Sequence, residues 1–550
     1  MPPGAPNAGL SEEQRVYLWE VEHRGLVLAK VGFGPIAGAL RRAEEPVLRA
    51  MLAADFEGRV PESSRVRPAG GGTIRVVRHQ EGERPSKAMD GEAFLAKLLE
   101  YRKPFGSNRP QVKLSLMGLA PEFRERMEGP WVGTALLRMW GETAPGQPAE
   151  VALHVRYRLL RPDGDTYDAG GWLSRFEVLH GQMVMAAHPL FREVAAARGL
   201  APEWYHDNWK VPGAKPLSNT GGAFLCDYNR DGCVDILITD TNGYTFFQGQ
   251  PDGRFVDVTS AVGVPSTAPL SEMTHTVAAV ADLDGDGWED LIIGDQIYGN
   301  RDGRAFERIP SGRTNLRHLT SASGVIPGDY DRDGKIDLYV TRGGASTSAS
   351  WLDGKSGSRN TNQLWHNEGN WQFRDVTQTS GTAGGSRSVF TALWLDADDD
   401  GWPDLYVPNE FGNGTLLVNR GNGTFRDVSL CEGPCDFGTM GATACDFDND
   451  GRIDLYAANM YSKAGSRIIG NLWPGTYPDE VMAKMRRFVT GSQLHRNLGG
   501  LKFEQVGPKF GVASVGWAYG PAAADFDNDG WPDLVATAGY ISQDRDKPDG

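Results

Sequence analysis

One nine-residue pattern recurs six times between residues 227 and 533 and limits what this chain can fold into. The first copy reads Asp227-Tyr-Asn229-Arg-Asp231-Gly232-Cys-Val-Asp235; the others begin at Asp282, Asp329, Asp396, Asp446 and Asp525 as D-x-D-x-D-G-x-x-D. Oxygen-bearing side chains at positions 1, 3, 5 and 9 suit a hard divalent cation, which gathers six to eight oxygens. Glycine at position 6 permits the tight turn that points them inward. Six recurrences, each between apolar stretches, make the pattern a designed element rather than a solvated acidic turn.

The flanking sequence gives the strands. A small-residue apolar run precedes each loop (Val277 to Ala281 before Asp282), and a second follows it (Leu405-Tyr-Val407). A third ends in asparagine, as in Gln363 to Asn367, Leu416 to Asn419 and Gln493 to Asn497. A fourth carries Phe-x-x-Val/Ile: Phe255 to Val258, Phe306 to Ile309, Phe373 to Val376, Phe425 to Val428 and Phe503 to Val506. Four short strands per repeat predict the blades of a β-propeller, six or seven in number, over 171–550. Because Phe191 to Val194 matches a fourth strand, the N-terminal strands 176–194 are expected to close the last blade and pair its open edge. Residues 1–170 lack the repeat. Ser11 with Gln14 reads as a capping box, Pro46 to Leu52 and Phe94 to Leu99 as helices, and Leu153 to Leu159 as a strand. The fold class is therefore mainly β, preceded by a small α+β domain that resembles the NTF2-like class around Leu48 to Gly58.

Composition supports cation sites. The chain has 550 residues, 71 Asp+Glu against 56 Lys+Arg and a formal net charge of −15. Six divalent ions would offset most of that charge, and the acidity argues against nucleic acid as a partner. Five cysteines are too few for a disulfide scaffold. Cys226 and Cys445 precede the first ligand of their repeats, and Cys431 and Cys435 could bridge locally in an oxidising compartment. The apolar stretch Leu26 to Leu40 is too short and interrupted to be a transmembrane segment. No signal peptide is visible; weak Ca²⁺ loops nevertheless point to an extracellular or periplasmic location, where the ion is abundant.

From Phe191 onward the chain resembles the FG-GAP/VCBS repeat proteins, in particular bacterial relatives of the cartilage acidic protein (ASPIC/UnbV-type) family. The resemblance rests on DYDRDGKIDLYVTR, DADDDGWPDLYVPN, DFDNDGRIDLYAAN and DFDNDGWPDLVATAGY, joined by LWHNEGNWQFRDVT and LLVNRGNGTFRDVS. It implies an integrin-α-like propeller whose loops hold up to six Ca²⁺ ions. The implied ligands are Asp227, Asn229, Asp231 and Asp235; Asp282, Asp284, Asp286 and Asp290; and Asp329, Asp331, Asp333 and Asp337. They continue with Asp396, Asp398, Asp400 and Asp404; Asp446, Asp448, Asp450 and Asp454; and Asp525, Asp527, Asp529 and Asp533. Asn229 should weaken the first site. Trp288, Trp402 and Trp531 at position 7 are expected to offer a backbone oxygen while their rings pack between blades.

A ligand site is expected on the opposite face, where His275, His318, Arg342, Arg387 and Glu410 gather, with Asp240, Asp295, Asn409 and Asn459 nearby. Two insertions, Gly343 to Asn362 and Tyr461 to Ser492, rise from the same side; the second holds an amphipathic helix around Val481, Met482 and Met485. Two functions fit. The first is an exported binding or adhesion module for a protein or glycan ligand. The alternative is a propeller enzyme of the sugar lyase or dehydratase kind, for which the sequence shows no unifying catalytic motif.

Overall fold

Alternation of apolar and polar residues along Pro148–Leu159 builds the first unit of the computed structural model: Val151, Leu153, Val155, Tyr157 and Leu159 are buried on one side. The structure describes the chain apart from 1–10, 62, 70–73, 81–86, 124–125, 162–163, 201–204, 206–220, 267–276, 317–318, 320–321, 344–360, 385–387, 411–413, 429–437, 461–464, 466–468, 471, 473–474 and 539–550. The chain divides into two units, Met1–Arg192 with Ser462–Val489 and Asp527–Asp529, and Glu193–Tyr461 with Thr490–Phe526 and Gly530–Gly550.

In the first unit seven strands form one sheet. Its order is Ser63–Ala69, Ile74–Gln80, Leu173–Ala186, Pro148–Leu159, Trp131–Glu142 and Gln111–Pro121, with Leu52–Arg59 pairing in parallel with Leu173–Ala186. Helices Glu12–Val27, Phe33–Arg42, Glu45–Met51 and Gly91–Glu100 contribute Val21, Phe33, Leu48 and Phe94 to the same core as Trp131 and Tyr157. Ser11 caps the first helix through the expected capping box. The stretch Leu26 to Leu40 is helical too. A π-helical turn, Leu28–Gly32, precedes Pro35 and accommodates its missing N–H.

Strand Leu173–Ala186 corrects one expectation. It is hydrogen-bonded to Pro148–Leu159 and Ile74–Gln80, so 176–185 belongs to this sheet and cannot complete a blade. The unit boundary accordingly falls at Arg192, not at 170. Phe191 to Val194 forms no strand, and Phe191 is exposed. The helical turn that follows, Ala195–Arg198, ends at Gly199, where a Cβ would lie 2.6 Å from the Phe255 carbonyl oxygen. Gly263 meets Phe306 in the same way.

The sheet also carries a pH-sensitive pair. His154 and His180 stack with ring centroids 4.3 Å apart. Burial, and the neighbouring His180, hold His154 down at about 4, and burial lowers His180 as well. The unfolded chain takes up these protons near pH 6.5, so stability present above pH 6.5 is lost as pH falls toward 4. The loss is expected to reach about 2 kcal/mol after solvent screening. Urea midpoints at pH 7 and pH 4.5 should show it, and the H154Q/H180Q double variant should not.

In the second unit the four-strand repeat folds as expected from its sequence. Five four-stranded antiparallel sheets and one two-stranded sheet follow one another among the described residues. The third is representative, with Gly324–Gly328, Asp337–Thr341, Gln363–Gly369 and Gln372–Asp375 in order. The last comprises Ala518–Ala524 and Asp533–Ala538. Hydrophobic clusters span consecutive sheets. Ile292 and Ile297 of the second pack with Leu338, Val340 and Trp365 of the third, and Tyr339 of the third packs with Leu405 and Leu417 of the fourth. First strands of neighbouring sheets touch. This is a mainly β repeat fold of propeller-like construction.

Candidate metal loops and the opposite rim

Each nine-residue loop joins the first and second strands of its sheet and is wired by backbone N–H groups. The Gly at position 6 donates to one oxygen of the first aspartate in all six: Gly232 to Asp227, Gly287 to Asp282, Gly334 to Asp329, Gly401 to Asp396, Gly451 to Asp446 and Gly530 to Asp525, at 2.8–3.0 Å. These glycines have φ between +82° and +90°, the left-handed conformation that excludes most side chains. The ninth aspartate accepts from the residue at position 2, as Asp290 does from Leu283 and Asp404 from Ala397.

This wiring leaves oxygens for a cation. Asp331 Oδ1, Asp398 Oδ1 and Asp448 Oδ1, all at position 3, are buried with no hydrogen-bond partner. Carboxylates of Asp282, Asp284 and Asp290, of Asp396, Asp398 and Asp404, and of Asp446, Asp448 and Asp454 bring oxygens within 4.8 Å of one another. Burial, then the surrounding carboxylates, pushes the ninth aspartate up: Asp235 and Asp404 to about 6, Asp290 to about 7 and Asp337 to about 8. A buried carboxylate cluster demands positive charge, as a proton or as a metal ion. The donor set, oxygen throughout in the second and fourth loops, fits Ca²⁺.

Three features were missed in the sequence. The strand-three asparagines are struts. The backbone N–H groups of Asn300, Asn367, Asn419 and Asn497 donate to the ninth aspartate at 2.7–2.8 Å. Their Nδ2 atoms reach back to the preceding loop, to the carbonyls of Tyr228, Leu283, Tyr330 and Ala397 at 2.8–2.9 Å. Their recurrence after each third strand was the available signal. Second, the loops are linked at their tips. Arg230 lies 4.6 Å over the Trp288 ring and Arg332 5.2 Å over the Trp402 ring, while Trp531 is exposed. Third, His366 places Nδ1 3.3 Å from Asp331 and 3.2 Å from Asp337, adding a nitrogen donor to the third cluster.

At the other end of the sheets only part of the expected ligand set, Arg342 and Glu410, falls among the described residues. His275, His318 and Arg387 lie outside the described residues, as do Cys431, Cys435 and most of the first insertion. Arg342 is 3 % exposed; its backbone N–H donates to Asn362 Oδ1 at 3.0 Å and its Nη2 donates to Gln363 Oε1 at 2.6 Å. Asn409 and Asn459 are equally buried, and Asp240 nearly so; Asp295 is exposed. Backbone bonds there tie one sheet to the next, as Val389 N–H to Arg342 and Thr439 N–H to Asn409. Glu410 is different. It is partly accessible, receives the Ser388 hydroxyl at 2.8 Å, and burial raises it to about 7. In the second insertion the helix forms as Asp479–Phe488. No helix among the described residues is long and apolar enough to cross a membrane.

Comparison with known proteins agrees with this construction. The FG-GAP-like repeat family matches residues 227–293, 396–457 and 478–536. Cartilage acidic protein 1 of Xenopus tropicalis is 24 % identical over 377 residues, covering 62 % of this chain and 50 % of the relative. The mouse protein of that name (Mus musculus) is 23 % identical over 341 residues, covering 58 % and 48 %. The chain thus spans about half the length of the curated relatives it matches. A solved structure from work on recognition of non-reducing terminal N-acetylglucosamine by an Agrocybe aegerita lectin aligns over 81 % of this chain and 92 % of its own. Its identity is 12 % and its TM-score 0.32.

Proposed function

For an FG-GAP repeat protein related to the cartilage acidic protein family, we propose an exported, calcium-stabilised binding module that presents the rim opposite its metal loops to a protein or glycan. The observation that carries this reading is the set of buried, unpartnered position-3 carboxylate oxygens in loops wired for a cation. Ca²⁺ there would neutralise the charge cluster and hold neighbouring sheets rigid, which preorganises the far rim. The ligands would be the four oxygen side chains of each loop. Six blades is the reading favoured here, with the segment around 191–199 contributing to the one that contains Asp533–Ala538; the N-terminal unit is taken as NTF2-like. Glu410 is the residue most suited to contact a ligand, being ionisable and partly accessible. The test is binding to arrayed glycans and immobilised matrix proteins, with and without chelator. Capture that needs Ca²⁺ supports the module, and capture indifferent to chelator refutes it. E410Q should weaken that capture about tenfold while the melting temperature stays within about 2 °C.

A further inference from the structure

The first five loops do not meet their charge in the same way, and the residue before the strand-three strut contributes to the difference. Because the N–H of the strand-three asparagine, or of Gly249 in the first repeat, is bonded to the ninth aspartate, the residue before it is fixed beside the loop. That residue is Gln248, Gly299, His366, Val418 and Arg496 in successive repeats. Gly299 and Val418 bring no polar side-chain atom to the second and fourth loops. Arg496 brings a full positive charge to the fifth. Its Nε lies 2.5 Å from Asp448 Oδ2 and its Nη2 3.2 Å from Asp450 Oδ2. Arg452, at position 7 of the same loop, pairs with Asp450 as well and is anchored by donating Nε to the Asn497 carbonyl at 2.9 Å. The second and fourth loops have tryptophan at that position.

We propose that Arg496 is a tethered cation that supplies the fifth loop with positive charge from within and sets its Ca²⁺ affinity below that of the second and fourth loops. A calcium ion must sit about 2.4 Å from oxygens of the position-3 and position-5 carboxylates, the same two groups whose Oδ2 atoms the guanidinium engages. Two cations cannot share them without close repulsion. Binding Ca²⁺ there therefore requires the Arg496 side chain to swing away, which subtracts from affinity. This inference rests on the calcium reading of the loops, and the experiment separates the two.

Calcium is titrated calorimetrically into the parent chain, into R496M and into each with D448N added. R496M is expected to gain one tight site per chain, or to tighten one site at least tenfold. D448N should remove that gain in the R496M background and leave the tight sites of the parent unchanged. If R496M does not fold, R496Q, which keeps a hydrogen-bonding head without the charge, carries the same expectation. Identical isotherms for the parent and the arginine variant would overturn the inference, as would loss of a tight site from the parent on introducing D448N. A parent that binds no Ca²⁺ would overturn the calcium reading and this inference together.

Discussion

Chelating Ca²⁺ at neutral pH is expected to lower the melting temperature of the repeat unit by about 10–20 °C and to leave the transition of the N-terminal sheet in place. An ion at a hundredfold excess over its dissociation constant adds about 2.7 kcal/mol per site. A few occupied loops then contribute on the order of 10 kcal/mol, comparable with the whole stability of an ordinary domain. The structure gives the reason for so large an effect: Asp290, Asp337 and Asp404 are almost fully buried beside other carboxylates. Without metal, their raised folded-state pKa values make the folded form the better proton acceptor between about pH 4 and pH 7. Stability of the chelated protein must then fall as pH rises through that window. Calorimetric scans with Ca²⁺, with Mg²⁺ and with chelator at pH 5 and pH 7.5 give both results at once. An unchanged melting temperature on chelation would remove the metal from the account.

The second unit was legible because its information is local. Each repeat writes its own strand, turn and strand, with glycine where φ must be positive and an aspartate that must be paired. Asp227 and its five counterparts could therefore be placed without tertiary knowledge. The strand Leu173–Ala186 was not legible in this way. Its alternation fits a sheet of either unit, and only long-range pairing with Pro148–Leu159 and Ile74–Gln80 assigns it. The helix through Leu28–Gly32 was hidden by Lys30, Gly32, Gly34 and Pro35, which read as an interruption until a π-turn absorbs them. At the rim, Arg342 and Glu410 look alike in sequence, a charged residue just beyond a second strand. Arg342 spends its hydrogen bonds on Asn362 and Gln363 in the interior, whereas Glu410 keeps solvent access. Which partner a polar side chain finds is a property of the neighbouring strands, and no periodicity encodes it.

Replacing Asn367 by alanine is expected to destabilise the repeat unit by about 4 kcal/mol, among the largest effects a single side chain here can have. Asn367 is 1 % exposed. Its Nδ2 donates to the carbonyls of Leu283 and Ile336, both at 2.9 Å, and its Oδ1 accepts from the Gly369 N–H at 2.9 Å. Alanine would leave three backbone groups buried without these partners, at about 1–3 kcal/mol each before relaxation. Asn367→Asp should be no better, since it keeps the acceptor, loses both donors and sets a charge beside Asp337. By contrast Asn422→Ala, in an exposed turn where the side chain only accepts from Thr424, should cost about 0.5 kcal/mol or less. Denaturant midpoints with unchanged slopes would give the magnitudes. Hydrogen exchange would give the location: because Leu283 sits in the second metal loop and Asn367 in the third sheet, protection should fall in both neighbours. If Asn367→Ala loosened only its own strand, the asparagine would be a turn residue, and the coupling of successive sheets would have to come from their apolar contacts alone.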